Sequence, residues 1–422
     1  MNSSKIKLIE KIEGEAKLNI SYKDSKIDFV EIEFFQTRGI EQILKSKPAL
    51  DALVINPRVC GICGHAHLQA TVKALESTIT GLKISKKAEI LRELTLNFEI
   101  IQNHFKWFYL SILPLLEGRQ KLLKATNPTS TLSKAIATLA GQYPHNSYSI
   151  VGGVTSEPTL VDMVMVESLV DEVIEYFESE VVKGDTSELL ECENVEKLFL
   201  KDGDLPTVLK TKKDELKDIG KSFDRFIVFG ENSYFKRGKS IKTRVTTSID
   251  EKYIKEFENQ NSYAKNVMYK DKYYEVGPLS RAMLNKTPLI KDAHRRFGDS
   301  LLSRIIARVC EIPQLLTHSK KLINSIDLSE PSYIAPSVDI ASHTGVGEAS
   351  VEAARGSLIH KVELEKGKIK EYRIITPTQW NLSNGTKESP AIAQKAMLGL
   401  DDEKTAELVF KSFDVCSVCT TH

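Results

Sequence analysis

The chain has 422 residues, of which 41% are hydrophobic and 27% are charged, and its formal net charge at pH 7 is +1. This length suffices for one large domain, or for two lobes, with a buried site. The near-neutral charge lacks the basic excess that nucleic acids and anionic membrane surfaces attract, so neither partner is predicted.

The N-terminal run MNSSKIKLIEKIEGEAK is not a secretory signal, because it has no apolar core before a small-residue cleavage site. The best candidate for a membrane segment, around Leu110 to Leu116, stops at Glu117 and Arg119. We therefore expect no direct membrane insertion.

Alternation and helical spacing predict the first elements of the chain. Residues 17–35, KLNISYKDSKIDFVEIEFF, alternate on either side of Asp24-Ser25, which predicts a β-hairpin. Residues 67–79 have helical spacing. Residues 88–113 are apolar nearly all the way round, as in a helix buried inside a bundle, and 160–182 predict a second long helix with one apolar stripe.

These elements predict an α+β fold that is mainly α, with a buried bundle of long helices and peripheral β-hairpins. A hairpin is also predicted over 357–377, where two alternating runs meet at Glu365-Lys366-Gly367-Lys368. We expect one large domain, 1–422, made up of an N-terminal hairpin region 1–60, a helical core 61–184, a charged peripheral lobe 185–275, and a helical and β return 276–422.

Four of the six cysteines form two C-x-x-C pairs. The first pair, Cys60 and Cys63, precedes the helix predicted over 67–79, whose N-terminal amides favour a thiolate. The second pair, Cys416 and Cys419, lies at the end of the sequence. Thiolates select zinc, copper(I), nickel or iron–sulfur clusters, so the pairs indicate a metal site.

The distance between the two pairs separates the kinds of metal site. The pairs of a zinc ribbon lie about 15–20 residues apart, whereas most of this chain separates Cys63 from Cys416. That separation favours a buried catalytic metal, with structural zinc and thiol exchange as alternatives. His67 follows the first pair and His422 the second, which places an imidazole near the site as a hydrogen-bond donor or as a ligand of a neighbouring ion.

These motifs resemble the large, catalytic subunit of [NiFe] hydrogenases. The family motif R-x-C-G-x-C-x-x-x-H matches residues 58–67, and D-P-C-x-x-C-x-x-H matches residues 414–422 apart from its proline. Further similar stretches are KIEGEAKL at 11–18, TRGIEQIL at 37–44, VGGV at 151–154, VGPLSRAML at 276–284, EAARGSLIHK at 352–361 and ITPTQWN at 375–381.

The resemblance implies a Ni-Fe(CN)2(CO) centre bound by all four paired cysteines. Cys60 and Cys416 match the terminal nickel ligands, and Cys63 and Cys419 match the thiolates that bridge nickel to iron. His67 would hydrogen-bond a bridging sulfur.

Three further side chains match residues that act on the reactants or on the iron's ligands. Arg355 matches a guanidinium over the open face of the metals, where its planar fork can polarise hydrogen or position a base. Glu13 matches the carboxyl that exchanges protons with Cys416. Thr378 occupies the position of a hydroxyl that hydrogen-bonds a cyanide.

The resemblance also implies a second cation site beside the active centre. Glu41, the backbone carbonyl of Ile374 and the imidazole of His422 match its ligands. An oxygen-rich site with one imidazole suits Mg²⁺ or Fe²⁺.

Some positions depart from the family pattern. Val415 replaces the usual proline, which relaxes the extended bias on Asp414. Asn103 stands where some members carry an aspartate near the arginine. Gly64 and His65 replace a common Thr-Thr, and His65 is a candidate for an additional donor to the metal site.

The resemblance implies reversible conversion of H2 to protons and electrons. Electrons must leave through an obligate iron–sulfur small subunit, because no cysteine set remains for such a cluster. Maturation proteins and a dimer of heterodimers are further implied partners. We favour the cytoplasm, with a periplasmic or membrane-associated site as the alternative if the partner carries an export signal. The rival functions are a structural zinc protein and a relative of the quinone-site subunit of complex I.

Cys192 and Cys310 belong to neither pair. Both lie in helical-looking segments, and we interpret them as ordinary thiols.

Overall fold

A computed structural model describes residues 3–11, 14–230, 232–235, 239–242, 245–259 and 261–416. Helices predominate in them, and the predicted mainly α, α+β class is confirmed. The helices are α1 Ile40–Leu44, α2 Ala52–Ile55, α3 Gly64–Ser77, α4 Lys86–Lys106, α5 Leu113–Glu117, α6 Leu122–Ala140, α7 Leu160–Tyr176, α8 Thr186–Leu190, α9 Val195–Leu200, α10 Asp204–Leu216, α11 Pro278–Asn285, α12 Pro288–Phe297, α13 Leu301–Ser325, α14 Pro377–Leu382, α15 Ile392–Met397 and α16 Glu403–Ser412. The strands are β1 Ser3–Lys11, β2 Gly14–Lys23, β3 Lys26–Glu33, β4 Ser149–Ile150, β5 Gly153–Val154, β6 Arg225–Val228, β7 Lys239–Lys242, β8 Val245–Ser248, β9 Ile254–Asn259, β10 Ser262–Tyr269, β11 Gly345–Ala353, β12 Gly356–Glu365 and β13 Lys368–Ile375.

The N-terminal hairpin is confirmed and gains a third strand. β2 and β3 pair antiparallel, and β1 adds to the other edge of β2. The turn residues Asp24 and Ser25 both have positive φ, 50° and 63°, as a two-residue turn with the twist of its strands requires. Leu18 and Ile20 of β2 are fully buried against a core that includes residues of α15 and α16.

The long helices form the buried bundle that the sequence predicts. α4 packs against α3, α6 and α13, and α7 packs against α6 and α13. Helix α4 is almost wholly buried because it is surrounded in this way. Its first turn is capped by Ser85, whose side chain accepts from the Ala88 N–H, and Thr159 forms a capping box with Asp162 at the start of α7.

The described part of residues 185–275 combines short helices with five strands, β6–β8 in one sheet and β9 and β10 in another. β6 is buried and packs against α11, whereas β8 is exposed along its length. The helical prediction for Cys192 is wrong, because this residue lies between α8 and α9; the prediction for Cys310 is confirmed, because it lies in α13.

The sheet of β11, β12 and β13 brings distant segments of the chain together. β12 and β13 form the predicted hairpin, whose turn residues Lys366 and Gly367 have φ of 50° and 75°. Arg355 lies in the turn between β11 and β12. The last residue of β13, Ile375, pairs with Ile359 near the start of β12, so Arg355 and the beginning of α14 lie at the same end of the sheet.

Candidate metal centre

Three cysteines from opposite ends of the chain meet in the core. The sulfur atoms of Cys60, Cys63 and Cys416 all lie within 4.8 Å of one another, and each residue is buried. The Sγ atoms of Cys60 and Cys416 are 3.6 Å apart. Cys419, the fourth predicted ligand, lies outside the described residues.

The loop of the first pair is shaped by a tight approach between two elements. A 3-10 turn, Asn56–Val59, leads into Cys60, and α3 begins directly after Cys63. A Cβ atom on Gly64 would lie 2.3 Å from the carbonyl oxygen of Pro57. Only glycine therefore allows α3 to start this close to the turn that positions Cys60.

Helix α4 holds this loop at two points. The carboxyl oxygens of Glu99 accept from the backbone N–H groups of His65 and Ala66, each at 2.9 Å. One turn later the amide of Asn103 donates to the carbonyl of Ile62 at 2.7 Å. The amides that begin α3 thus bind a carboxyl group rather than a thiolate. Burial raises the pKa of Glu99 to about 8.

Arg355 is anchored on one side and faces the thiolates on the other. Its Nε donates to the backbone oxygen of Asp414 at 2.9 Å, and its Nη2 lies 3.3 Å from a carboxyl oxygen of that residue. Among the described residues the buried Nη1 has no hydrogen-bond partner. Burial alone would lower the pKa of Arg355, but Asp414 and the three nearby cysteines outweigh it and raise that pKa well above its ordinary value.

Asp414 receives two guanidinium groups. Arg308 donates to its second carboxyl oxygen at 2.9 Å, and Arg308 also stacks on the Trp107 ring, 4.8 Å from the centroid. Asp414 has a positive φ of 58°, a backbone conformation far from the extended one that a following proline would impose. Val415 does not place that restriction on Asp414.

Two imidazole groups contact each other near this site. His67 Nδ1 is 3.1 Å from His360 Nε2, and His360 Nδ1 is 2.8 Å from the hydroxyl of Tyr372. His65 instead lies in a separate buried group, where its ring contacts Asn146 and Thr95. Burial lowers the pKa of His65 to about 4, so this ring is neutral.

One pocket collects five of the predicted site residues. Its walls include Cys63, His67, Arg355, Thr378 and Cys416. Soft thiolates, a guanidinium nitrogen with no partner among the described residues and a neighbouring imidazole suit a thiolate-bound metal whose open face receives a small molecule.

The predicted second cation site is only partly within the described residues. Glu41 and Ile374 lie together, but one carboxyl oxygen of Glu41 accepts from the backbone N–H of Ile374 at 2.8 Å. The other oxygen pairs with the ammonium of Lys265 at 2.8 Å. A carboxylate can accept further bonds at each oxygen, so these contacts are compatible with a cation. His422 lies outside the described residues, as does Glu13.

Several residues of the site had no clear signal in the sequence. Glu99 is one of several charged residues in α4, and its partners lie on another element. Arg308 likewise sits on α13, far along the chain from Asp414. His360 could have been suspected from the sequence, because it belongs to EAARGSLIHK, one of the stretches similar to the hydrogenase family.

Comparison with known families identifies a match that covers most of the chain. The family model described as nickel-dependent hydrogenase matches residues 38–114 and 187–422. None of the described helices is long and apolar enough to cross a membrane.

Named relatives and solved structures are similar over nearly the full length. Sulfhydrogenase 1 subunit alpha of Pyrococcus furiosus is 24% identical, over 98% of this chain and 96% of the relative. The periplasmic [NiFeSe] hydrogenase large subunit of Desulfomicrobium baculatum is 24% identical, over 88% of this chain and 84% of the relative. The structure of the Ni-Fe-Se hydrogenase from Desulfovibrio vulgaris Hildenborough superposes with a TM-score of 0.85 at 21% identity, over 100% of both chains.

Proposed function

The chain belongs to the nickel-dependent hydrogenase family, and we propose that Cys60, Cys63, Cys416 and Cys419 hold a nickel–iron centre at which H2 is reversibly split. The observation that carries the proposal is the buried cluster of three sulfur atoms within 4.8 Å of one another. When bound, such a centre supplies a Lewis acid and a two-electron acceptor for heterolytic cleavage. Cys60 and Cys416 are the proposed terminal nickel ligands, and Cys63 and Cys419 the bridging ones.

Arg355 is the proposed group that orients and polarises hydrogen. Asp414 anchors Nε and Nη2, so the guanidinium plane is held in place while Nη1 remains for the substrate side. A permanently charged, planar group held this way needs little reorganisation during the reaction.

Proton transfer and support of the iron are assigned to three further residues. Glu13 is the proposed acceptor that takes the proton from the sulfur of Cys416 and passes it towards solvent. Thr378, on the wall of the pocket, is the proposed donor to a cyanide of an Fe(CN)2(CO) group. His67 is the proposed donor to a bridging thiolate.

A Mg²⁺ or Fe²⁺ ion is proposed beside this centre. Glu41, the carbonyl of Ile374 and His422 are its proposed ligands. The contact between Glu41 and Ile374 supports this grouping, and the oxygen donors suit a hard or borderline cation.

Electrons released at the site need an acceptor outside this chain. The relatives are named as a large subunit or a subunit alpha, which implies a small-subunit partner, and we propose that this partner carries iron–sulfur clusters. Leu50 and Val54, 44% and 47% exposed just before the first cysteine pair, belong to the face that we assign to it. A cytoplasmic location is proposed, with export on the partner as the alternative.

Metal analysis of the purified complex tests the proposal. We expect nickel and iron in the native complex, together with H2 oxidation, and loss of both nickel and activity in Cys416→Ser, because an alkoxide cannot replace a soft thiolate. Cys192→Ser is the matched control, since Cys192 is also a buried free thiol but lies outside the site.

The outcome separates the rival functions. Zinc in place of nickel would indicate a structural metal protein, and a native complex without any bound metal would indicate a relative that has lost the centre. Normal nickel content and turnover in Cys416→Ser would exclude this residue as a ligand.

A further inference from the structure

A buried row of side chains extends from His67, on the wall of the metal pocket, to His360 and Tyr372, which have no assigned role in the proposed reaction. His67 Nδ1 lies 3.1 Å from His360 Nε2, and His360 Nδ1 lies 2.8 Å from the Tyr372 hydroxyl oxygen. Thr71, one turn after His67 on α3, lies beside both His360 and Tyr372. These four residues are at most 3% exposed, so their hydrogen bonds must be satisfied within the protein.

The hydroxyl of Thr71 limits the ways in which protons can be arranged. It donates to the backbone carbonyl of His67 at 2.7 Å and accepts from the amide of Asn56 at 2.8 Å. Its single hydrogen is therefore used, and Thr71 can only accept from the row.

The hydroxyl of Tyr372 has two acceptors to choose between. It lies 2.8 Å from His360 Nδ1 and 3.2 Å from Thr71 Oγ1. Burial raises the pKa of Tyr372 above its ordinary value, so the phenol keeps its hydrogen. The shorter distance favours donation to His360.

Donation from Tyr372 sets the direction of the remaining bonds. When His360 Nδ1 accepts, the neutral ring carries its hydrogen on Nε2, and Nε2 donates to His67 Nδ1. His67 then carries its own hydrogen on Nε2. The opposite direction would give His67 a bare Nε2 lone pair. His67 lines the same pocket as Cys63 and Cys416, and thiolates there would be stabilised by a donor but not by a second acceptor.

We propose that His360 and Tyr372 are positioning residues that hold His67 in the tautomer with hydrogen on Nε2, so that this ring presents a donor to the thiolates. The inference rests on the proposed function, because a donor at this place matters only if the cysteines hold a metal. A hydrogen bond to a ligating sulfur withdraws charge from it and fixes the geometry of the ligand.

Three variants test the two hydrogen bonds of the row, His360 to His67 and Tyr372 to His360. His360→Leu removes the donor to His67 Nδ1, whereas His360→Gln retains an amide N–H that can replace it. Tyr372→Phe removes the hydroxyl that donates to His360 Nδ1. Thr71 Oγ1, 3.2 Å from His360 Nδ1, then remains as an acceptor, which favours hydrogen on Nδ1 of His360 and therefore on Nδ1 of His67. Tyr148→Phe is the matched control, because this buried hydroxyl bonds Thr95 at 2.7 Å and lies outside the row.

The measurement is nitrogen NMR of the assembled complex with histidine labelled in the imidazole ring, recorded in a diamagnetic state. A His67→Gln sample identifies the His67 signals, and nitrogen shifts distinguish N–H from bare nitrogen. We expect hydrogen only on Nε2 of His67 in the native complex, in His360→Gln and in Tyr148→Phe. A second His67 form with hydrogen on Nδ1 is expected in His360→Leu and in Tyr372→Phe.

Two results would overturn the inference. One is a native His67 that carries hydrogen on Nδ1, alone or on both nitrogens. The other is an unchanged His67 spectrum in Tyr372→Phe, a variant whose small change keeps the test valid if His360→Leu does not fold.

Metal analysis of the same samples keeps this test separate from that of the proposed function. Absence of nickel and iron from the native complex would remove the proposed function, whatever the tautomer. Normal metal content together with hydrogen on Nδ1 of His67 would disprove only the positioning role of His360 and Tyr372. In the variants with mixed tautomers, H2 turnover is expected to fall about 10- to 100-fold.

Discussion

At the scale of single residues, Arg355 is held in the pocket by Asp414. Asn103 stands where some hydrogenases carry an aspartate near this arginine, yet its amide donates to the carbonyls of Ile62 and Glu99. Asp414 is bound by both Arg355 and Arg308. The carboxylate that orients the arginine therefore comes from the same C-terminal segment as Cys416.

Replacing Arg355 by lysine tests whether the reaction needs the planar guanidinium group with its several N–H donors. Lysine keeps the charge but cannot bind Asp414 through two nitrogens while presenting a third to the pocket. We expect Arg355→Lys to reduce H2 oxidation about 100- to 1000-fold, the effect of losing one positioned donor. Turnover and nickel content of the purified complex are the measurements. Nickel should remain bound, and full activity in this variant would exclude Arg355 from the reaction.

At the scale of elements, the first cysteine pair is held between a 3-10 turn, α3 and α4. Glu99 binds the first amides of α3, and Asn103 binds the loop between the cysteines. Gly64 allows α3 to approach the turn, since an added Cβ would lie 2.3 Å from the Pro57 oxygen. The geometry of the thiolates thus depends on backbone contacts that no cysteine makes.

Gly64→Ala is expected to misplace Cys63 and to abolish nickel binding, because the Cβ meets backbone that cannot rotate away. Gly61→Ala is the control within the same loop, since a Cβ at that position meets no atom within 4 Å. Nickel content and circular dichroism of both variants are the measurements. Equal nickel content in the two variants would contradict the role assigned to the close approach.

Helix α13 contributes a buried ion cluster that stabilises the same region. Glu311 is bound by two nitrogens of Arg281, at 2.8 and 2.6 Å, and by His104 at 2.7 Å. Burial acts to raise the pKa of Glu311, but Arg281 and His104 outweigh it and lower that pKa to about 2. Burial lowers the pKa of His104 to about 4, so a neutral imidazole donates to a carboxylate.

Glu311→Gln should lower the free energy of unfolding at pH 7 by about 1–3 kcal/mol, because it removes one of the two buried carboxylates, Glu311 and Glu352, that pair with Arg281. The lowered pKa of Glu311 also makes the free energy of unfolding depend on pH. The ionised group stabilises the fold above its unfolded pKa of 4.5, and this contribution is lost as the pH falls towards 2. The native protein should therefore lose more stability than Glu311→Gln over this window.

Denaturant unfolding at several pH values checks both effects. Glu371→Gln is the control, since Glu371 pairs with Arg373 on the surface, where the two side chains are 51% and 55% exposed. Its effect should stay within about 0.5 kcal/mol. Parallel pH profiles for the native protein and Glu311→Gln would contradict the assigned ionisation.

At the scale of the whole molecule, the metal site joins segments from both ends of the chain. Cys60 and Cys416 are 356 residues apart in sequence, yet their sulfur atoms are 3.6 Å apart. A metal bound by both can exist only in the folded state, so binding stabilises that state by mass action.

We expect the nickel-loaded chain to have a higher melting temperature than the chain purified from nickel-depleted cells. At a metal concentration 1,000 times the Kd, the gain is about 4 kcal/mol. Calorimetry of both samples measures the difference, which should vanish in Cys416→Ser and persist in Cys192→Ser. Equal melting temperatures of the loaded and depleted native chains would show that the metal does not connect the two segments.

The sequence by itself determined the features that depend on near neighbours in the chain. The spacing within each C-x-x-C pair, the turns at Asp24-Ser25 and Lys366-Gly367, and the apolar surface of α4 follow from local backbone geometry and side-chain periodicity. The motifs around the cysteines, together with the similar stretches at 352–361 and 375–381, were specific enough to indicate the family and five residues of the pocket.

Only the tertiary structure decided which polar groups become partners. Glu99 with the amides of α3, Asp414 with Arg355, and His360 with His67 join segments far apart in sequence. Their pairing is enforced by burial, because a polar group removed from water must find a partner wherever packing places one. Local patterns carry no information about that placement, so the charges and tautomers of the site follow from the fold.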